Sequence, residues 1–185
     1  MSRPAFQFRN LSLPGLVVVE TRRFEDPRGF FRMTWQDSVF RAAGIPGPFV
    51  QSNLSHSVRD TLRGLHFQKP PMAQGKLLAV LSGEIYDVAV DLRKGSRTYG
   101  KWKAETLSAA NGRMLWVPEG FAHGFCVTSG EAELLYLVTR EYAPQLDRGV
   151  RWNDPALAIS WPVSKPLLSE KDAGLPLLKD ADNPF

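Results

Sequence analysis

Between residues 63 and 76 the chain places an arginine, a histidine and a lysine close together: Arg63-Gly64-Leu65-His66-Phe67-Gln68, then Gln74-Gly75-Lys76. The planar fork of Arg63 suits paired phosphate oxygens. His66 has the one side-chain type whose unperturbed pKa, about 6.5, makes it a neutral base near pH 7. Lys76 opens an apolar run, an unusual position for a cation unless its head meets an anion. Taken singly, the three also fit a surface ion pair, a hydrogen-bonded buried histidine and a snorkelling lysine. Tyr136 lies between Leu134 and Val138, which fits a core tyrosine with one hydrogen bond. Facing an imidazole across a pocket, the same phenol would be a suitable general acid. In Phe49–Ser57, the residues Gln51, Asn53, Ser55 and Ser57 alternate with Val50, Ser52, Leu54 and His56. On a strand, four neutral hydrogen-bonding side chains then share one face. That face is either solvated or built for recognition, and amides and hydroxyls in place of Lys and Glu suit a sugar or a base.

The elements that must position these groups read as closely spaced strands. Leu77–Leu81, Ile85–Leu92, Met114–Val117, Gly124–Thr128 and Ala132–Thr139 are β-prone runs separated by Gly, Ser and Asn turns. This spacing predicts a sandwich or small barrel. In Ile85–Leu92, Tyr86, Val88, Val90 and Leu92 share one side, while Asp87, Ala89 and Asp91 share the other. Asp87 therefore lies on a wet face or in a polar cavity. Thr34-Trp35-Gln36-Asp37 has capping-box spacing and Gly44 follows as a stop, which predicts a helix near 35–43. A second, weaker helical signal covers 108–111. From Pro155 onward the chain reads as a packed tail with one helical turn. Without repeats or a linker, residues 1–185 are expected to form one mainly β domain.

The 185 residues carry 23 Lys and Arg against 19 Asp and Glu, a net charge of +4. The basic residues are scattered, with no basic region or helix-turn-helix signature, so no nucleic-acid partner is expected. The charge is compatible with a phosphate-bearing substrate. The sequence holds no 18-residue apolar run and Met1–Gly15 has no leader pattern, which predicts a cytoplasmic protein with no membrane partner. The single cysteine, Cys126, forms no internal disulfide and sits in an apolar stretch as a small hydrophobe.

Gly112-x5-Pro118-x-Gly120-x2-His123 resembles the second sequence motif of the cupin superfamily. Metal-binding cupins also carry an upstream His-x-His and a later Glu. Here His66 stands alone and His56 is ten residues away, so no metal is expected. Arg63–Gln68, Gln74–Lys76, Asp87–Arg93, Pro118–Phe125, Trp152–Pro155 and Ser169–Asp172 together resemble the dTDP-4-dehydrorhamnose 3,5-epimerase (RmlC-like) family, in order, from about Gly15 to Leu178. The resemblance implies a cupin-type jelly-roll barrel with a few short helices. It also implies a homodimer with shared active sites, and no metal or organic cofactor. The implied substrate is a dTDP-4-keto-6-deoxyhexose, inverted at C3 and C5 through an enolate. Related enzymes invert one of these carbons or move the ketone, and a non-catalytic sugar-binding cupin is a further reading.

By the same resemblance His66 is the base, Tyr136 the acid, Lys76 the cation at the ketone oxygen, Asp172 the orienting carboxylate and Asp87 a supporting one. Gln51, Asn53, Arg63, His123, Asp147 and Lys171 match substrate-binding positions. Arg28 and Phe31, in Asp26-x-Arg28-Gly29-x-Phe31, resemble an N-terminal arm exchanged with the partner of the dimer. Read from the residues alone, Ser169-Glu170-Lys171-Asp172 also fits a capping box that simply starts a helix. Three departures stand out: Met33 where the family has Glu, Asp147 where Glu is usual, and Asp60-Thr61 where a Gly-Val-like pair is usual.

Overall fold

β-Branched and aromatic runs broken by turn residues form strands along most of the chain. The computed structural model describes residues 4–185; Met1–Arg3, the start of the stretch read for a leader, lie outside the described residues. In chain order come β1 (Phe6–Asn10), β2 (Val17–Thr21), β3 (Phe24–Asp26), β4 (Gly29–Phe31), α1 (Asp37–Ala42), β5 (Gln51–Val58) and β6 (Leu62–Gln68). They are followed by β7 (Lys76–Ser82), β8 (Glu84–Asp91), β9 (Trp102–Ser108), β10 (Arg113–Val117), β11 (Phe121–Val127) and β12 (Glu131–Val138). The last elements are β13 (Asp147–Gly149) and α2 (Glu170–Ala173), with 3-10 turns at Pro144–Leu146 and Leu178–Asp180.

The strands pair antiparallel into a six-stranded sheet, β1-β2-β10-β7-β12-β5, and a five-stranded sheet, β13-β6-β11-β8-β9. The sheets face each other as a jelly roll. Leu78, Leu115 and Leu134 from one meet Ile85, Ala89 and Phe125 from the other in the central core. Fully burying each such side chain is worth about 1.5–3 kcal/mol. Arg9 of β1 bonds Glu105 of β9 at 3.2 Å, tying the two sheets together along one edge. The outer face of the five-stranded sheet is covered by the tail, where Val150, Leu157 and Phe185 pack on Leu65, Phe67 and Val90. On the other sheet, α1 lays Phe40 against Phe6, ring edge to face at 5.1 Å. The short pair β3–β4 stands apart as its own two-stranded ribbon.

Three local readings need correction or completion. Helix α1 begins at Asp37, and its N-cap Gln36 makes no side-chain bond, so Thr34 caps nothing. The Asp37–Arg41 pair, 2.8 Å apart and four residues apart in sequence, supports the turn instead. The helix signal at 108–111 is a turn that carries the chain from β9 in one sheet to β10 in the other: the Ser108 N–H donates to Asn111 Oδ1 and the Asn111 N–H to Ser108 Oγ, at 3.1 and 3.0 Å. Short polar side chains that bond nearby backbone displace a helix in this way. Finally, β6 is a full strand, although its Arg63–Gln68 motif read as chemistry and not as structure. Asp60 sits at φ 64, the left-handed region that favours the glycine usual there in the family it resembles.

Candidate active site

β6 and β11 set the floor of the site. His66 pairs directly with His123 across these strands, and the register then shifts by a bulge before Phe125. The close approach depends on Gly64, at φ +119, where an added Cβ would come within 2.5 Å of the Gly124 Cα. Both imidazoles thus belong to one wall. The facing sheet contributes Lys76 from the start of β7 and Tyr136 from β12. Arg63, His66, Lys76, His123, Tyr136 and Asp172 line a single cavity of about 300 Å³.

Each histidine is held by its own carboxylate. His66 Nε2 lies 2.6 Å from Asp172 Oδ1, and Asp172 is only 3% exposed. Burial alone would raise the Asp172 pKa, but the His66 hydrogen bond and charge, with smaller help from the Gly64 N–H and Ser169, hold it below the usual carboxylate value. The two readings of the 169–172 segment prove compatible. Ser169 caps α2 by accepting the Asp172 N–H, while the Asp172 side chain turns to His66. On the neighbouring strand His123 Nε2 meets both oxygens of Asp87 at 3.0 and 2.9 Å. Asp87 is fully buried behind His123 and off the cavity wall, so it supports that ring and not His66. Among the described residues no three His, Cys, Asp or Glu side chains converge as metal donors.

On the facing wall, the Lys76 ammonium has no hydrogen-bonded or ion-paired partner among the described residues. Burial lowers its pKa to about 8, against a raising influence from Asp147. The Tyr136 phenol is pushed up by burial and drawn partly back by Arg63. It therefore keeps its proton at neutral pH and can donate it. Arg63 is itself anchored, Nε to Ser57 Oγ at 3.0 Å and Nη2 to the His56 carbonyl at 3.2 Å.

A second lobe of about 240 Å³ joins the first at His66, Lys76 and Tyr136. Gln51, Asn53 and Asp147 line it, so the amide face of β5 points inward while Val50, Leu54 and Val58 are exposed. Gln51 Nε2 donates to Asn53 Oδ1 at 2.8 Å. Asp147 accepts from Lys171 Nζ and, at 3.0 Å, from the Tyr142 hydroxyl. Sequence reading did not name Phe67, Gln68, Gln74 or Tyr142 as site residues, and of these Tyr142 bonds Asp147. Its signal was an aromatic in a polar loop just past β12, outside any strand alternation. Arg28 and Phe31 are not brought to either lobe. Arg28 pairs with Asp26 at 2.6 Å, and Phe31, 65% exposed, lines a separate depression with Phe30, Arg32 and Leu81. Met33 packs with the Phe40 cluster, as an apolar residue should.

An oriented imidazole on one wall, with a protonated phenol and a cation on the other, is equipped to move a proton at carbon beside a ketone. Comparison with known proteins bears on which ketone. The family described as dTDP-4-dehydrorhamnose 3,5-epimerase matches residues 10–180. A protein of that name from Pseudomonas aeruginosa is 51% identical over 174 residues, covering 93% of this chain and 96% of its own. A Bacillus anthracis crystal structure of the same activity, with TDP and PPi bound, superposes at TM-score 0.91 with 47% identity, covering 94% of this chain and 99% of that one. A dTDP-4-dehydrorhamnose 3-epimerase from Streptomyces niveus is 41% identical, covering 95% and 85%.

Proposed function

The chain belongs to the dTDP-4-dehydrorhamnose 3,5-epimerase family, and on that premise we propose how its residues invert C3 and C5 of dTDP-4-dehydro-6-deoxy-D-glucose to give dTDP-4-dehydro-L-rhamnose. It is a carbohydrate epimerase of the cupin jelly-roll class. The C4 ketone acidifies the protons on both neighbouring carbons. Neutral His66 removes one, Lys76 stabilises the enolate oxygen, and Tyr136 returns a proton from the opposite face. Asp172 holds the His66 ring and stabilises the imidazolium formed. Acid–base help of this kind contributes about 10²–10⁴-fold, and enolate electrostatics much of the remainder. The observation that carries the reading is the placement of His66 and Tyr136 on facing sheets around one cavity.

The nucleotide falls to Arg63, His123 and Lys171 and to the amide lobe of Gln51, Asn53 and Asp147. Arg28 and Phe31 act in the neighbouring subunit of a homodimer. Two observations support that arrangement: both lie away from their own cavity, and the outer sheet face exposes Leu54, Val58 and Leu81 at 60%, 51% and 49%. Apolar surface outside and amides inside invert the usual pattern, as expected if a second copy covers it. A cytoplasmic setting and a single domain over 1–185 belong to the same proposal. No helix among the described residues is long and apolar enough to cross a membrane.

The test is incubation with dTDP-4-keto-6-deoxyglucose in D₂O, followed by NMR at C3 and C5. Deuterium at both carbons is expected. Exchange at one carbon only would assign the single inversion of the Streptomyces relative's name, and exchange at neither would refute the epimerase reading.

A further inference from the structure

Strand β12 ends at Val138, and residues 140–143 then run along the second lobe without regular structure. Backbone groups that leave a strand ladder need other partners. Three glutamines supply them. Gln74 Nε2 donates to the Arg140 carbonyl at 2.7 Å, and Gln68 Nε2 to the Glu141 carbonyl at 3.1 Å. The Tyr142 N–H donates to Gln51 Oε1 at 2.9 Å, and the Ala143 N–H to Gln68 Oε1 at 2.8 Å. Four consecutive residues are thus held by side chains from β5, from β6 and from the turn before β7, and all three glutamines line the lobe. Gln68 makes the most of these bonds. It is 3% exposed, and its Nε2 also donates to the Met72 carbonyl at 2.7 Å, so both ends of its amide are fixed. Tyr142 rides on the segment so held, its ring half-exposed at the lobe and its hydroxyl donating to Asp147 at 3.0 Å.

We propose that Gln68 is a positioning residue for substrate binding: with Gln51 and Gln74 it holds residues 140–143 so that the Tyr142 ring faces the nucleotide in the second lobe. This rests on the reading above, which puts the nucleotide there. Gln68 stands two residues from His66 on β6, yet its amide bonds reach Met72, Glu141 and Ala143, and none goes to His66. Its loss is therefore felt in binding and not in proton transfer.

Full-length wild type, Gln68→Met, Gln74→Met, Tyr142→Ala and the double variant of Gln68→Met with Tyr142→Ala are compared. The measurements are calorimetric titration with dTDP, steady-state kinetics and amide hydrogen exchange. Methionine keeps the unbranched stem and removes the amide. Gln68→Met is expected to weaken dTDP binding about three- to tenfold, the range for one lost contact, and to raise KM likewise with kcat within about twofold. With Tyr142 already alanine, the same change should add less than about twofold, since the two residues act as one unit. The Ala143 N–H should exchange at least about tenfold faster in Gln68→Met. Gln74→Met loses only the Arg140 bond and should move dTDP affinity the same way by a smaller factor; it carries the test should Gln68→Met fail to fold. Unchanged dTDP affinity or unchanged Ala143 exchange in the folded variant would overturn the proposal. So would an equal loss with and without Tyr142, which would make Gln68 a direct contact or a general prop. A fall in kcat at unchanged dTDP affinity would also overturn it, tying Gln68 to His66 instead. A wild type that binds no dTDP would count against the epimerase reading, while exchange at Ala143 would still decide whether Gln68 holds the segment.

Discussion

Replacing Lys76 with methionine is expected to stabilise the fold while removing most of the activity. The ammonium sits among protein atoms at the start of an apolar strand, with only the distant influence of Asp147 to offset its burial. Its pKa of about 8, against 10.5 for a free lysine, corresponds to about 3 kcal/mol of unfavourable charge burial. That is an upper figure, since the cavity admits water on one side. Below pH 8 folded and unfolded chains both hold the proton and the folded state bears the whole penalty. Between about 8 and 10.5 the unfolded chain holds a proton that the folded chain has released, so stability rises with pH. Methionine keeps a similar unbranched stem without the charge. At pH 7 the variant should therefore be more stable by about 1–3 kcal/mol, and the gap should close by pH 10.5. Urea unfolding of both proteins across this range measures it. Activity should fall about 10²–10³-fold at saturating substrate, the usual loss for one group that stabilises a developing oxyanion. A variant less stable at pH 7, or a gap that ignores pH, would refute the electrostatic account of Lys76. Retained turnover would refute its catalytic role.

Other outcomes follow from the same geometry. His66→Ala should abolish deuterium exchange at both carbons, while Tyr136→Phe should still wash deuterium in yet release little inverted product, as NMR of the sugar will show. Dilution below the dimer dissociation constant should abolish turnover, and Phe31→Ala should weaken it without unfolding the barrel, checked by sedimentation beside the activity assay. Gly64→Ala drives a Cβ to 2.5 Å from the Gly124 Cα at a φ of +119, so it should lose more than about 2 kcal/mol of stability. A melting temperature equal to wild type would refute the claimed close approach of β6 and β11.

Strand existence was legible because alternation with period two, set between turn residues, is a local property of the chain. The faces of β5 and β8 were legible for the same reason, as was the short turn that became α2. Which face points inward is not local. On β5 the amides and hydroxyls turn in and Leu54 and Val58 turn out, because the space between the sheets there is a polar cavity and not packed core. The sequence placed Asp87 in a cavity or in water, and only the β8–β11 register decided that it sits behind His123. Asp172 reaches His66 across 106 positions of chain, a contact that no periodicity encodes. The likeness of short motifs to a family supplied expected roles for these groups. Tertiary structure supplied the contacts themselves, since hydrogen-bond partners and burial depend on which strands meet, and strand pairing is settled by the whole chain at once.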